Sequence, residues 1–146
     1  MIKKLSAIAA IAFALAACGE SPQTVSLQSP PPAPPGPTKS WMVFFDTNSA
    51  TLSQQGNTTV SEAAAIAKSM PSSRVVVTGF TDTEGAVAYN QALSLRRANA
   101  VRTALVANGV PPQSVTVSGS GETGLLVPTA DQVKNENNRR VQIVVQ

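Results

Sequence analysis

The chain has no histidine. An imidazole general base and a histidine-ligated metal site are therefore excluded. A single cysteine, Cys18, leaves no intrachain disulfide to form. Aromatic residues are few, four Phe, one Tyr and one Trp, so no row of rings is available to stack nucleobases. Charged residues make up only 13% of the chain and the formal net charge is +3. Lys3 and Lys4 lie in a segment read below as removed, which leaves nine basic side chains against eight acidic ones. A nucleic-acid partner needs a concentrated basic patch, and that balance does not supply one. No Gly-rich phosphate loop is present either, and nothing in the sequence calls for a cofactor or a metal. The 146 residues have room for one domain of ordinary size.

What is present begins with the N-terminus. Met1-Ile2-Lys3-Lys4 is a basic start, and Leu5 to Ala17 is an Ala-rich apolar stretch too short to span a bilayer comfortably. It ends in small residues, as a secretory signal does. Leu15-Ala16-Ala17-Cys18 resembles the lipobox of bacterial lipoproteins, in which cleavage precedes the Cys and acyl chains are added to it. Residues 1–17 are thus expected to be a signal peptide and Cys18 the lipidated residue. Gly19, rather than Asp, follows it; by resemblance to enterobacterial lipoproteins this favours the outer membrane. Residues 18–39 then read as a tether. Seven of the eleven prolines fall between Pro22 and Pro37. Such a run adopts polyproline II, and twenty residues at about 3.1 Å each reach roughly 60 Å.

The folded domain is expected over residues 40–146, with strands and helices in the order βαβαββ, an α/β arrangement of the α+β sandwich kind with one mixed sheet against helices. Trp41 to Phe45 reads as a buried strand. Ser53 is a candidate N-cap for a helix from about Gln54 to Met70, with Val60, Ala63, Ala67 and Met70 on one side. Arg74 to Phe80 is a continuous apolar strand, of the sort covered on both faces or by crossover helices. A second helix runs to about Asn108, closed by Asn108-Gly109 with Pro111-Pro112 beyond. Ser114 to Ser118 and Arg140 to Val145 alternate apolar and polar residues as half-buried strands do, and residues from about Ala130 to Asn138 suit a short helix.

The stretch Thr81 to Arg97 carries the chemistry. A polar loop, Thr81 to Gly85, leads into the second helix. At 100° per residue, Leu93, Ala100, Val101 and Ala104 share a face, with Arg97 in its middle and Asn90 two turns earlier. A permanent cation on a core-facing stripe is costly unless paired. Asp82 is the obvious partner; alternatively Asp82 and Arg97 together await a charged ligand. Asp82 also suits an Asx turn, and Arg97 a core-edge arginine. Arg96 falls toward the polar side, as a solvated charge. Arg139 and Arg140 point to opposite faces of the last strand, so at most one reaches a pocket around Asp82. Glu122 reads as an acceptor for loop amides or an arginine.

Phe45-Asp46-Thr47-Asn48, Thr81-Asp82 with Gly85, Asn90, Leu93-Ser94, Arg97-Ala98, Val101, Leu105, Gly109, Gly119-Ser120-Gly121-Glu122 and Asn138-Arg139-Arg140-Val141 occur in the order and spacing of a known family. Residues 40–146 resemble the OmpA-like C-terminal domain, the peptidoglycan-binding module of OmpA, the peptidoglycan-associated lipoprotein and MotB. The resemblance implies binding of the stem-peptide diaminopimelate. Asp82 would take its ammonium and Arg97 its carboxylate, with Asn48, Asn90 and Thr81 lining the pocket. Backbone amides of the 81–90 loop would help with a second carboxylate. Two departures stand out. Phe80 replaces a histidine frequent in the family, and Leu125 to Val133 carries few family residues.

With the lipobox and tether, this reads as an outer-membrane lipoprotein, on the periplasmic face, that ties membrane to peptidoglycan. The second reading is a docking piece in an envelope-spanning secretion or Tol-type complex, with other envelope proteins as partners. An enzyme is the third. Asp82 and Glu84 are a conceivable carboxylate pair, but no water-activating group accompanies them.

Overall fold

The computed structural model describes residues 38–70 and 72–146. The expected signal peptide (1–17), Cys18 and all but the end of the tether lie outside the described residues. The elements are β1 (Lys39–Phe44), α1 (Gln54–Ser69), β2 (Val75–Gly79), α2 (Val87–Ala107), β3 (Val115–Gly119) and β4 (Arg140–Val145), with 3-10 turns at Pro112–Ser114 and Glu136–Asn138. The expected order βαβαββ is therefore met.

The four strands form one mixed sheet in the order β1-β4-β2-β3. β4 runs antiparallel to both neighbours, setting Ile143 opposite Trp41 on one side and Val77 on the other. β2 and β3 are parallel, joined through α2. Side chains alternate across a strand. One face therefore collects Val43, Val75, Val77, Val141, Ile143 and Val145, all buried with Val60, Ala63 and Ala67 of α1 and Val101 and Leu105 of α2. Fully burying a side chain of this size contributes about 1.5–3 kcal/mol, so the sheet–helix contact supplies most of the cohesion.

Local sequence explains the element ends. Ser53 Oγ accepts the Gly56 amide at 3.1 Å, satisfying a first-turn donor of α1. α2 ends in a Schellman motif. Gly109, at φ +90°, donates to Val106, and Val110 donates back to Leu105. Gly79 is required for another reason, since a Cβ there would collide with the Ser94 carbonyl of α2.

Several expectations need correction. β1 is an edge strand, not a buried one. Val43 is buried, but Met42 and Phe44 are exposed because no helix covers that side of the sheet. β2 is likewise covered on one face only, with Val76 and Thr78 half-buried on the other. The buried stripe of α2 is rotated from the expected one. Ser94, Ala98 and Leu105 are buried, while Ala100 and Ala104 are half-buried. The helix expected over Ala130 to Asn138 shrinks to the turn Glu136–Asn138. Its earlier backbone groups bond instead to the 82–85 loop: Val133 N to Thr83 Oγ1, Gln132 N to Thr83 O and Asn135 N to Asp82 Oδ2.

Two outcomes follow. Ser53→Ala is expected to lower the unfolding free energy by about 1 kcal/mol in urea titration. Gly79→Ala, which must push α2 off the sheet, is expected to cost about 3 kcal/mol or more in the same measurement.

Candidate functional site

The site is built where the loop after β2 meets the start of α2 and the turn before β4. Arg97 is wholly buried, at 0% exposure. Its Nε donates to Ser49 O at 2.7 Å, Nη1 to Phe80 O at 3.0 Å and Nη2 to Asp46 O at 2.9 Å. The guanidinium also lies 5.4 Å from the Phe45 ring centroid. Each of its nitrogens is thus bonded to a backbone carbonyl of the β1–α1 loop or the end of β2. Burial pulls its pKa down to about 10; Asp82 opposes that shift and Arg139 adds to it. It remains a cation at neutral pH.

Asp82 is not the ion-pair partner of Arg97. Asp82 pairs instead with Arg139, whose Nη1 lies 3.2 Å from Asp82 Oδ2, with both side chains largely buried. Arg139 Nε donates to Phe45 O at 3.1 Å. The two arginines therefore hang on consecutive carbonyls, those of Phe45 and Asp46, with Asp82 as the acid in their midst. Asp82 Oδ2 also accepts the Asn135 amide, while Oδ1 has no protein partner among the described residues. A cleft of about 390 Å³ opens beside the pair, between Phe44, Phe45, Asp46, Thr51, Glu136 and Arg139. Arg139 forms its wall; Asp82 and Arg97 lie behind that wall.

Residues 44–139 match the OmpA family. The chain belongs to that family. It is 36% identical over 117 residues to an outer membrane protein of Gluconacetobacter diazotrophicus, covering 76% of this chain and 31% of that one. It is 34% identical over 103 residues to the probable lipoprotein YiaD of Escherichia coli, covering 70% of this chain and 47% of that one. It thus spans less than half the length of both relatives. Among solved structures, the peptidoglycan-associated lipoprotein of Burkholderia pseudomallei superposes with a TM-score of 0.67 at 31% identity, covering 72% of this chain and 89% of that one. The C-terminal domain of Helicobacter pylori MotB gives 0.65 at 25% identity, covering 72% and 83%. The mixed sheet on two helices is the OmpA-like fold of these neighbours.

Within this OmpA-family domain, the residues singled out in the sequence take different places. Asn90 is buried, and its Nδ2 donates to Glu84 O at 3.0 Å and Glu122 Oε2 at 2.8 Å. It fastens the 81–85 loop to the 119–124 loop, and its side-chain amide, rather than a loop backbone amide or an arginine, meets Glu122. Thr81 is buried, and its Oγ1 has no partner among the described residues. Asn48 is exposed at the tip of the β1–α1 loop, at φ +53°. Arg96 is exposed, 5.5 Å from the Tyr89 ring. Of the two consecutive arginines, Arg139 reaches the cleft and Arg140 does not.

Thr83 was missed as a positioning residue. Its hydroxyl donates to Ala130 O at 2.7 Å and accepts from Val133 N at 3.1 Å. Gln132 exchanges two 3.0 Å bonds with the Gly85 backbone. The segment 129–135 is thereby strapped over the loop that carries Asp82. The only signal in the sequence was the length of the gap between β3 and β4, residues 120–139, with Thr129, Gln132 and Asn135 in it.

Replacing Arg97 by Met would leave three enclosed carbonyls without donors, each costing about 1–3 kcal/mol. Arg97→Met is therefore expected to lose at least about 3 kcal/mol in urea denaturation, while Arg96→Ala stays within about 0.5 kcal/mol of wild type.

Proposed function

We propose that this chain is an outer-membrane lipoprotein that binds peptidoglycan non-covalently, through the diaminopimelate of the stem peptide, and so ties the membrane to the wall. Family membership and the likeness to a peptidoglycan-associated lipoprotein support the wall-binding part. Relatives named as an outer membrane protein and a probable lipoprotein support the location. In this reading Cys18 carries the acyl chains and residues 18–39 are the spacer.

The observation that carries the ligand assignment is the enclosed charge set. A diamino acid side chain offers an ammonium and a carboxylate a few ångströms apart, and it needs a fixed anion and a fixed cation. Asp82 keeps Oδ1 unused, and it takes the ammonium. The guanidinium of Arg97 has five N–H groups and spends three on carbonyls, so two remain for a carboxylate. Reaching them requires the exposed 46–48 loop to move outward, and Arg139 at the cleft wall draws the carboxylate in. Asn48 then closes over the ligand, and Thr81 Oγ1 gains the partner it lacks. Asn90 contributes its remaining Oδ1 and holds the loop. The first amides of α2 face a second carboxylate, since Ala86 provides no side-chain cap. No cofactor takes part.

Co-sedimentation with purified sacculi tests this. Residues 34–146 contain every described element and are expected in the pellet, released by millimolar diaminopimelate and not by lysine. Asp82→Asn is expected to weaken retention by about thirtyfold, the equivalent of about 2 kcal/mol for an unpaired charge in the complex. Arg97→Lys, which keeps the charge and loses the fork, is expected to weaken it too, while Arg96→Ala binds as wild type. Wild type left in the supernatant would overturn the assignment.

A further inference from the structure

A second buried guanidinium lies on the other side of the sheet. Val141 faces the helices, so Arg140, the preceding residue of β4, faces away from them. It is only 6% exposed. Its Cζ sits 4.0 Å above the Phe80 ring, and Nη2 donates to Gly124 O at 3.0 Å. Nε and Nη1 are shielded from solvent and donate to nothing among the described residues. Arg97, by contrast, has an acceptor on every guanidinium nitrogen. The two ion pairs among the described residues, Lys134–Glu84 and Arg139–Asp82, leave Arg140 out. Enclosing a cation with its donors unmet is costly, and such a group calls for an acceptor from outside the fold.

The surroundings suit one. Phe80 lies on one side of Arg140, and Phe44, directly opposite in the β1–β4 register and 47% exposed, lies on the other. The cover is the segment 124–126; before it Glu122 is held by Asn90 Nδ2 and Gly121 N by Ser94 Oγ, and after it Val127 exchanges paired bonds with Asn138. Gly124, at positive φ, begins it. Its hydrogen bond to this guanidinium is made by the Gly124 carbonyl. Burial also holds the guanidinium pKa below the ordinary arginine value, which an approaching anion would reverse.

We propose that Arg140 is a binding point for a single carboxylate, which enters from the uncovered face of the sheet as segment 124–126 lifts. One cation against the Phe80 ring, with the exposed Phe44 on the neighbouring strand and no second cation paired to it, matches a singly charged group on an apolar stem. A phosphate dianion would find only half its charge met. The carboxylate comes either from a free small acid or from the C-terminus of a peptide. The site is separate from Asp82 and does not depend on the wall-binding reading.

The test follows the Nε–Hε signal of Arg140 in the ¹⁵N-labelled chain, identified by its loss in Arg140→Gln. Acetate and N-acetylalanine are expected to shift it saturably at millimolar concentration, and N-acetylalanine amide to leave it unmoved. N-acetylalanine binding at least about tenfold tighter than acetate marks a peptide terminus as the source; equal binding marks a free acid. At matched ionic strength, saturating acetate raises the wild-type Tm by about 3 °C or more relative to Arg140→Gln. A signal unmoved by all the carboxylates up to about 100 mM would mean that water meets these donors, and the inference falls. Tighter binding of inorganic phosphate than of either carboxylate would overturn the ligand class.

Discussion

The guanidinium of Arg97 is the constraint on which the rest of the site depends. One side chain from the middle of α2 bonds the carbonyls of Asp46, Ser49 and Phe80, and so joins the β1–α1 loop, the end of β2 and the helix. The planar fork with fixed donor directions allows this; an ammonium would not reach three acceptors so placed. The charge is tolerated in a dry place because each nitrogen finds an oxygen and because Asp82 lies near enough to offset part of the desolvation.

Asp82 is held by a different set of forces. Arg139 and the Asn135 amide fix one of its oxygens, and the segment 129–135 is fastened over its loop through Thr83 and Gln132. Two arginines and one carboxylate thus share a small volume beside an open cleft. That is one cation more than a structural pair needs for its acid, and the proposed ligand reading rests on this surplus.

Phe80 links the two faces of the sheet. Its carbonyl takes Arg97 on the helix side and its ring supports Arg140 on the open side. The Gly79 contact with Ser94 holds this residue at a set height against α2. A displacement of Phe80 would therefore reach both guanidiniums.

Much of this was legible in the residues alone. The strand and helix order, the Ser53 cap, the Gly109 stop and the burial of Arg97 follow from periodicity and from the local backbone chemistry of Ser and Gly, which act over four or five residues. The need to compensate Asn90 and Arg97 was legible as well, because amide and charged side chains on a core stripe must be satisfied. Which groups compensate them was not. The carbonyls at 46, 49 and 80, the bond from Arg139 to Asp82, and the strap from Thr83 to residues 130–133 join positions up to 57 apart in sequence. The exposed edge of β1 and the enclosed donors of Arg140 likewise depend on which strand lies beside which and on which face the helices cover. Sequence pattern reports whether a side chain must be buried; only the packed chain decides which atoms it meets there.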